Sequence, residues 1–199
     1  MNKIPIDLSN IRDSAETRYA AKHFLDANLQ FHGQVFTDHF RNGSLLAHND
    51  QGSNTFTTEG MAALLNIMFG NVAKAATPIF YVGIFKNNVN PALGDTAAVK
   101  LGAAGTYGEC QDADYDTPLT DKPSYVIATT ATAVATNAAA AAAFTMLAAI
   151  TVYGAFLSTE KAKTATTGYL MCGKKFGTAR AVIDNDVLSV TYVITASTS

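Results

Sequence analysis

Four carboxylates lie close together near the middle of the chain and could bind a cation. They are Glu109, Asp112, Asp114 and Asp116, and their D-x-D-x-D core is typical of calcium loops. A calcium loop would continue with glycine and place glutamate at its twelfth position, where this chain has Thr117 and Pro123. The pattern therefore predicts a solvated loop, and the nearby Tyr107 and Tyr115 make that loop a reasonable contact surface.

A second candidate lies at residues 168–175, GYLMCGKK, which differ by one residue from the phosphate-binding sequence G-x-x-x-x-G-K-[ST]. Lys175 stands where a hydroxyl group should bind magnesium, and the inner residues are bulky and apolar. The residues that follow do not predict a helix whose N-terminus could face phosphate. We predict a strand with two exposed lysines, Lys174 and Lys175, and no nucleotide site.

Histidines and cysteines give no recognisable catalytic pattern. None of the histidines has the spacing of a metal-binding pair, and no nucleophile motif surrounds them; they are His23, His32, His39 and His48. Cys110 and Cys172 are far apart, which is typical of buried or half-buried thiols in a reducing cytoplasm. We therefore predict no catalytic residue, no metal site and no cofactor, and we expect a protein that is not an enzyme.

The composition indicates a surface with few charges. The chain has 199 residues, of which 48% are hydrophobic and 15% charged, against about 25% charged in ordinary soluble domains. Such a surface is expected to face other protein. The formal net charge of -2 provides no basic field for phosphates, which argues against nucleic acid as a main partner. The first residues lack the continuous apolar stretch of a secretory signal.

The pattern along the chain predicts an N-terminal arm, residues 1–30, followed by one domain, residues 31–199. Within the arm, residues 14–27 predict a modest helix whose apolar face is too small to form a core. Asn42-Gly43 between two apolar segments predicts a β-hairpin, because both turn residues must adopt positive φ.

One helix is predicted after the hairpin. Thr57 or Thr58 can cap its N-terminus, Glu59 lies favourably in its first turn, and Gly70 ends it. Its apolar residues recur at helical spacing; they are Met61, Leu64, Leu65 and Met68.

The other segments predict strands. Residues 79–86 are apolar on both faces, as in a buried strand, and residues 125–134 are rich in β-branched side chains. Between them, residues 102–124 are predicted to be a long polar connection. After the turn residues 184–186, apolar side chains alternate with mostly hydroxyl-bearing ones; the apolar set is Leu188, Val190, Tyr192 and Ile194. The fold class predicted is mainly β: a β-sandwich or jelly-roll-like domain with one short helix and an N-terminal arm.

An alanine-rich run leaves three interpretations open. The 20 residues from Ala138 to Leu157 lack charge and meet the length criterion of a membrane span, but nine of them are alanine. Residues 138–149 could also form a soluble helix. We favour a hairpin with strands at residues 140–146 and 151–158, in which small side chains allow close packing of sheets or subunits.

Five short motifs carry a resemblance to a known family. They are TTEGM (57–61), YVGIF (81–85), TVYGAFL (151–157), RAV (180–182) and DVLSVTY (186–192). Together they resemble small virion structural proteins of tailed bacteriophages, of the cement or decoration type that binds the outside of a capsid. The resemblance covers about residues 31–199 and implies no cofactor and no metal. It implies action by binding, as a homo-oligomer on a capsid or tail.

The functional hypothesis is therefore a virion protein that binds the major capsid protein and copies of itself and stabilises the shell. It would be made in the host cytoplasm and located on the capsid surface, with the arm tying the domain to its neighbours. A tail, neck or baseplate component is the first alternative. A small membrane protein that uses Ala138 to Leu157 is another. A carbohydrate-binding module is the fourth hypothesis, and it expects Tyr107, Tyr115 and Tyr125 to be exposed.

Overall fold

The fold consists of two antiparallel β-sheets in a computed structural model that describes residues 29–70, 80–127, 132–163 and 165–198. The strands are β1 (Leu29–Arg41), β2 (Ser44–Ser53), β3 (Thr55–Phe56), β4 (Tyr81–Phe85), β5 (Tyr115–Thr117), β6 (Val134–Thr136), β7 (Ala142–Met146), β8 (Ile150–Ser158), β9 (Leu170–Val182) and β10 (Val187–Thr198). The helices are α1 (Thr58–Phe69), α2 (Ala97–Lys100) and a single 3-10 turn (Ala138–Ala140). The prediction of a mainly β fold is confirmed, although α2 and the 3-10 turn add to the one helix expected.

The first sheet has the strand order β2-β1-β10-β7-β5, and β6 also pairs with β10. The predicted hairpin at Asn42-Gly43 joins β1 to β2. Both residues have positive φ, 51° and 74°, so that Arg41 pairs directly with Ser44 across a two-residue turn. The long pairing of β1 with β10, from residues 29 to 40, then connects the start of the described chain to its end.

The second sheet has the order β3-β9-β8-β4, and its inner face packs on the first sheet. The alternation predicted for β10 is confirmed, because its apolar residues face this shared core. Ile194 is only partly buried at its edge. Buried side chains of both sheets form the core; they include Val35, Phe144, Leu188, Val190 and Tyr192 from one sheet and Val82, Ile84, Val152, Leu157 and Cys172 from the other.

The second sheet is also covered on its outer face. Residues 86–107, which contain α2, fold over it. Their buried side chains, among them Leu101 and Tyr107, form a smaller apolar cluster with Phe85 and Phe156 of the sheet. Val82 and Ile84 face the main core, while Phe85 faces this second cluster. The strand predicted at residues 79–86 is therefore found at Tyr81–Phe85 and is buried on both sides, as its continuous apolar sequence requires.

Helix α1 has the boundaries and caps that the sequence indicates. The Thr57 hydroxyl accepts a hydrogen bond from the Gly60 amide at 2.9 Å, and Gly70 follows the last turn. Glu59 also makes tertiary contacts: its Oε2 accepts hydrogen bonds from the amides of Ala97 at 2.8 Å and Leu170 at 2.7 Å. These bonds attach the start of the helix to both α2 and β9.

The alanine-rich run forms neither long helix that was considered. Its first three residues form the exposed 3-10 turn, and β7 and β8 follow close to the predicted strand boundaries. The hairpin, however, is wrong, because β7 pairs with β10 and β5 in the first sheet while β8 pairs with β4 and β9 in the second. Residues 147–149 therefore cross between the sheets. Ala142 and Ala155 are buried in the core, but close packing does not explain the exposed alanines of the 3-10 turn.

Three further predictions meet different outcomes. Residues 102–124 are more than a polar connection, because they include β5 and several buried side chains. The strand expected at residues 125–134 is found only from Val134 onward in the described part, since residues 125–127 are irregular and residues 128–131 are not described. The predicted helix at residues 14–27, and nearly all of the arm, lie outside the described residues.

Candidate interaction surface

Each of three acids in the predicted calcium-like cluster pairs with a lysine of its own. Glu109 and Lys122 form an ion pair of 3.2 Å in which both side chains are 0% exposed. Lys122 also donates to the Ala162 carbonyl at 2.5 Å, and the Gly102 amide donates to Glu109 at 2.7 Å. Burial raises the pKa of Glu109 and lowers that of Lys122, because removal from water disfavours either charge.

The two neighbouring acids follow the same pattern. Asp114 is buried and accepts from Lys86 at 2.7 Å, and Asp112 is exposed but lies 3.1 Å from the buried ammonium of Lys163. Lys163 also donates to the carbonyls of Tyr115 and Leu119, at 2.8 Å each. Lys163 lies between β8 and β9, so these bonds attach that connection to β5 and to the residues after it.

The prediction of a solvated loop is therefore wrong for Glu109 and Asp114, whose buried carboxylates pair with lysines, while Asp112 is exposed as expected. Within the described residues, no group of three histidine, cysteine, aspartate or glutamate side chains could hold a metal ion. The tyrosines that were expected to be exposed are buried as well: Tyr107 is 0%, Tyr115 1% and Tyr125 6% exposed. The carbohydrate-binding hypothesis loses the aromatic surface on which it depended.

A second polar cluster joins β1 to the turn before β10, and no residue pattern predicted it. The carboxylate of Asp186, 1% exposed, accepts from Arg41 at 2.7 and 2.8 Å, from His39 at 2.8 Å and from the Ile183 amide at 2.9 Å. Arg41, followed by the Ile183 amide and His39, holds the pKa of Asp186 well below its usual range, against the opposing effect of burial. The other described histidines are exposed, and His48 contacts Asp38.

We expect this cluster to make stability depend on pH in the acidic range. Because the folded chain keeps Asp186 ionised, the unfolded chain binds more protons below about pH 4, so acid favours unfolding. Asp186→Asn should be less stable than the wild type at pH 7, and the difference should shrink as the pH falls below about 4. Urea unfolding at several pH values measures this. Asp184→Asn, in the exposed part of the same turn, should give no such trend, and a constant difference for Asp186→Asn would contradict the prediction.

The segment that resembles a phosphate-binding loop is part of a strand. From Leu170 onward it belongs to β9, as predicted, but Lys174 and Lys175 are half-buried where exposed side chains were expected. Cys110 and Cys172 are free, buried thiols, as predicted, and burial raises the pKa of both.

The strongest candidate for an interaction surface is an apolar face of α1. Its side toward β9 buries only small residues, Gly60 and Ala63. The larger apolar residues remain accessible: Leu65 is 53%, Met68 56% and Phe69 77% exposed. They line a groove of about 250 Å³ together with Phe31 of β1. We call this surface the α1 groove; its lining residues are Phe31, Met61, Leu64, Leu65, Met68 and Phe69.

The helical periodicity that identified α1 did not predict which way its apolar residues point. That pattern is usually the mark of a core-facing helix. Here the glycine and alanine face β9 and Leu64 packs partly against the core, while Leu65, Met68 and Phe69 form an accessible apolar patch. Contiguous patches of this kind mark sites of contact with other molecules more often than isolated exposed residues do.

The described residues thus define a mainly β protein of two antiparallel sheets with an accessible apolar face on α1. None of the helices in the described ranges combines the length and apolar character needed to cross a bilayer. Comparison of the chain with protein-family models, with curated proteins and with solved structures gave no match.

Proposed function

We propose that this chain is a non-enzymatic structural protein of a tailed-bacteriophage virion, of the cement type that binds the capsid shell. The observation that carries the proposal is the α1 groove, whose large apolar side chains are open to a partner. The five short motifs that resemble virion proteins point to the same class. Binding is the mode of action that both imply.

The distribution of charge supports action by binding. Among the nine described lysines and arginines, six form ion pairs with a carboxylate. The Glu109–Lys122 pair is fully buried, and four of the other pairs have one buried partner, so part of the small number of charges lies inside the fold. A weakly charged exterior with an apolar face is suited to contact between proteins, where charged residues are depleted at the centre of the interface.

The α1 groove alone is smaller than a stable interface, which buries about 800 Å² on each partner. We propose that the N-terminal arm adds contact area. Since β1 begins at Leu29 and Phe31 lines the groove, the arm joins the domain directly beside this surface.

The copy number in purified particles of the encoding virus tests the proposal. A cement protein should be present in hundreds of copies per particle, whereas a tail, neck or baseplate component should be present in about a dozen or fewer. Quantitative mass spectrometry against the major capsid protein measures the ratio. Absence of the chain from the particles would refute both virion hypotheses.

We expect Met68→Ser together with Phe69→Ser to weaken attachment to shells without unfolding the domain. Burial of a large apolar side chain contributes about 1.5–3 kcal/mol, so losing two should lower the affinity at least tenfold. Because both side chains are more than half exposed, each change should alter the free energy of unfolding by less than about 0.5 kcal/mol. Cosedimentation with particles that lack the protein measures attachment.

Leu119→Ser is the matched control for this double variant. Leu119 is 66% exposed but does not line the groove, so its substitution should leave attachment unchanged. If the double variant attaches as tightly as the wild type, the α1 groove is not the contact surface.

A further inference from the structure

Among the described residues, the cations that form no ion pair are concentrated on one strand. Three of the nine described cations form no ion pair with the described residues, and all three belong to β9: Lys174, Lys175 and Arg180. For Arg180, the Nε and Nη2 atoms are buried and lack a hydrogen-bond partner. In a chain of net charge -2, this is a local excess of positive charge.

Two of these cations line a pocket of about 190 Å³ between β3, β9 and residues 90–91. The Lys174 ammonium lies over the end of β2, 3.4 Å from the position that a Cβ would take on Gly52. No acidic residue lines the pocket; its lining consists of Ser53, Thr55, Asn90, Pro91, Gly173, Lys174 and Lys175.

The other polar side chains of the pocket are donors without a partner. Among the described residues, the side chains of Ser53, Thr55 and Asn90 make no hydrogen bond. Hydroxyl and amide groups can donate to an oxyanion, and each lysine ammonium has three hydrogens to donate. Hydrogen bonds to a charged acceptor are about twice as strong as neutral ones.

We propose that this pocket, which Lys174 and Lys175 line, binds a single oxyanion group, a carboxylate or a phosphate. Its size suits one such group, whereas the backbone of a nucleic acid needs an extended basic surface, which the described residues do not form. The inference does not depend on the proposed function, because it uses β9 and not the α1 groove.

Titration of the isotopically labelled full chain with inorganic phosphate, followed by NMR, tests the pocket. Ionic strength is held constant with chloride. The amide signals of Thr55 and Gly173 should shift and saturate, with half-saturation in the millimolar range. A second titration with acetate separates the sources: saturation by acetate indicates a carboxylate ligand, and saturation by phosphate alone indicates a phosphate group.

Three variants locate the binding. Lys175→Gln should raise the half-saturating concentration about tenfold, and Asn90→Ala, at the exposed side of the pocket, should raise it a few-fold. Lys161→Gln is the control, because that exposed lysine pairs with Asp121 elsewhere. Shifts that do not saturate, or that chloride alone reproduces, would overturn the proposal. Equal binding by Lys175→Gln and the wild type would overturn it as well.

Discussion

Lys122→Met is expected to destabilise the protein by about 3–5 kcal/mol, because it leaves the buried carboxylate of Glu109 without its cation. Both side chains of this pair are 0% exposed, so water cannot take the place of the ammonium. The variant also removes the donor to the Ala162 carbonyl. Since domains of this size are stable by about 5–15 kcal/mol, the loss is a large fraction of the total. Urea unfolding at pH 7 measures it.

A second variant distinguishes the ion pair from general damage to packing. Glu109→Gln combined with Lys122→Met removes the uncompensated charge but keeps an acceptor for the Gly102 amide. We expect this double variant to be more stable than Lys122→Met alone.

Lys161→Met gives the comparison with an exposed pair. The Lys161–Asp121 distance is also 3.2 Å, but the side chains are 59% and 40% exposed, so the effect should be below about 1 kcal/mol. Equal effects of Lys122→Met and Lys161→Met would show that burial does not determine the contribution of the Glu109–Lys122 pair.

Gly60→Ala is expected to destabilise the protein by about 1–3 kcal/mol, although it improves the helix propensity of α1. Within a helix, alanine is more favourable than glycine by about 1 kcal/mol. A Cβ on Gly60, however, would lie closer than 3.0 Å to the main chain of Met171 in β9. To relieve this contact the helix must move away from the strand, which is costly in a packed interior.

The movement would also break hydrogen bonds between α1 and β9. The Thr57 amide donates to the Met171 carbonyl at 3.0 Å, and Glu59 accepts from the Leu170 amide. Thermal and urea unfolding measure the outcome, with Gly94→Ala as the control, because a Cβ there meets nothing within 4 Å. If Gly60→Ala instead raised the stability by about 1 kcal/mol, propensity and not the close approach would dominate at this position.

Local signals predicted several elements correctly because their physical causes are local. Asn42-Gly43 supplies the two positive φ angles of a tight turn, Thr57 caps its own helix, and the alternation in β10 reports a strand with one buried face. The turn and the cap join atoms within a few residues of one another, and the alternation is visible within the one strand. A single sequence contains such information directly.

Strand pairing was not predicted, because it depends on partners far apart in the chain. The segments on either side of residues 147–149 are strands, as predicted, but they belong to different sheets. In the first sheet β7 already has β10 and β5 as neighbours, and in the second β8 lies between β9 and β4. The two segments are adjacent in sequence, which favoured a hairpin. Each strand instead pairs with strands from other parts of the chain, on both of its sides.

Composition and local pattern are enough to predict the mainly β class, the hairpin at Asn42-Gly43, the limits of α1 and the scarcity of charge. They do not predict which polar groups are buried and which apolar groups are exposed, because these depend on how the two sheets and α1 pack. An acid such as Glu109 enters the interior because Lys122, 13 residues further along the chain, folds beside it and compensates its charge. Conversely, Phe69 remains accessible because α1 packs on β9 through the side that carries Gly60 and Ala63, and Phe69 lies on the opposite side. Burial is a property of the whole packing arrangement, which residue type and spacing alone do not specify.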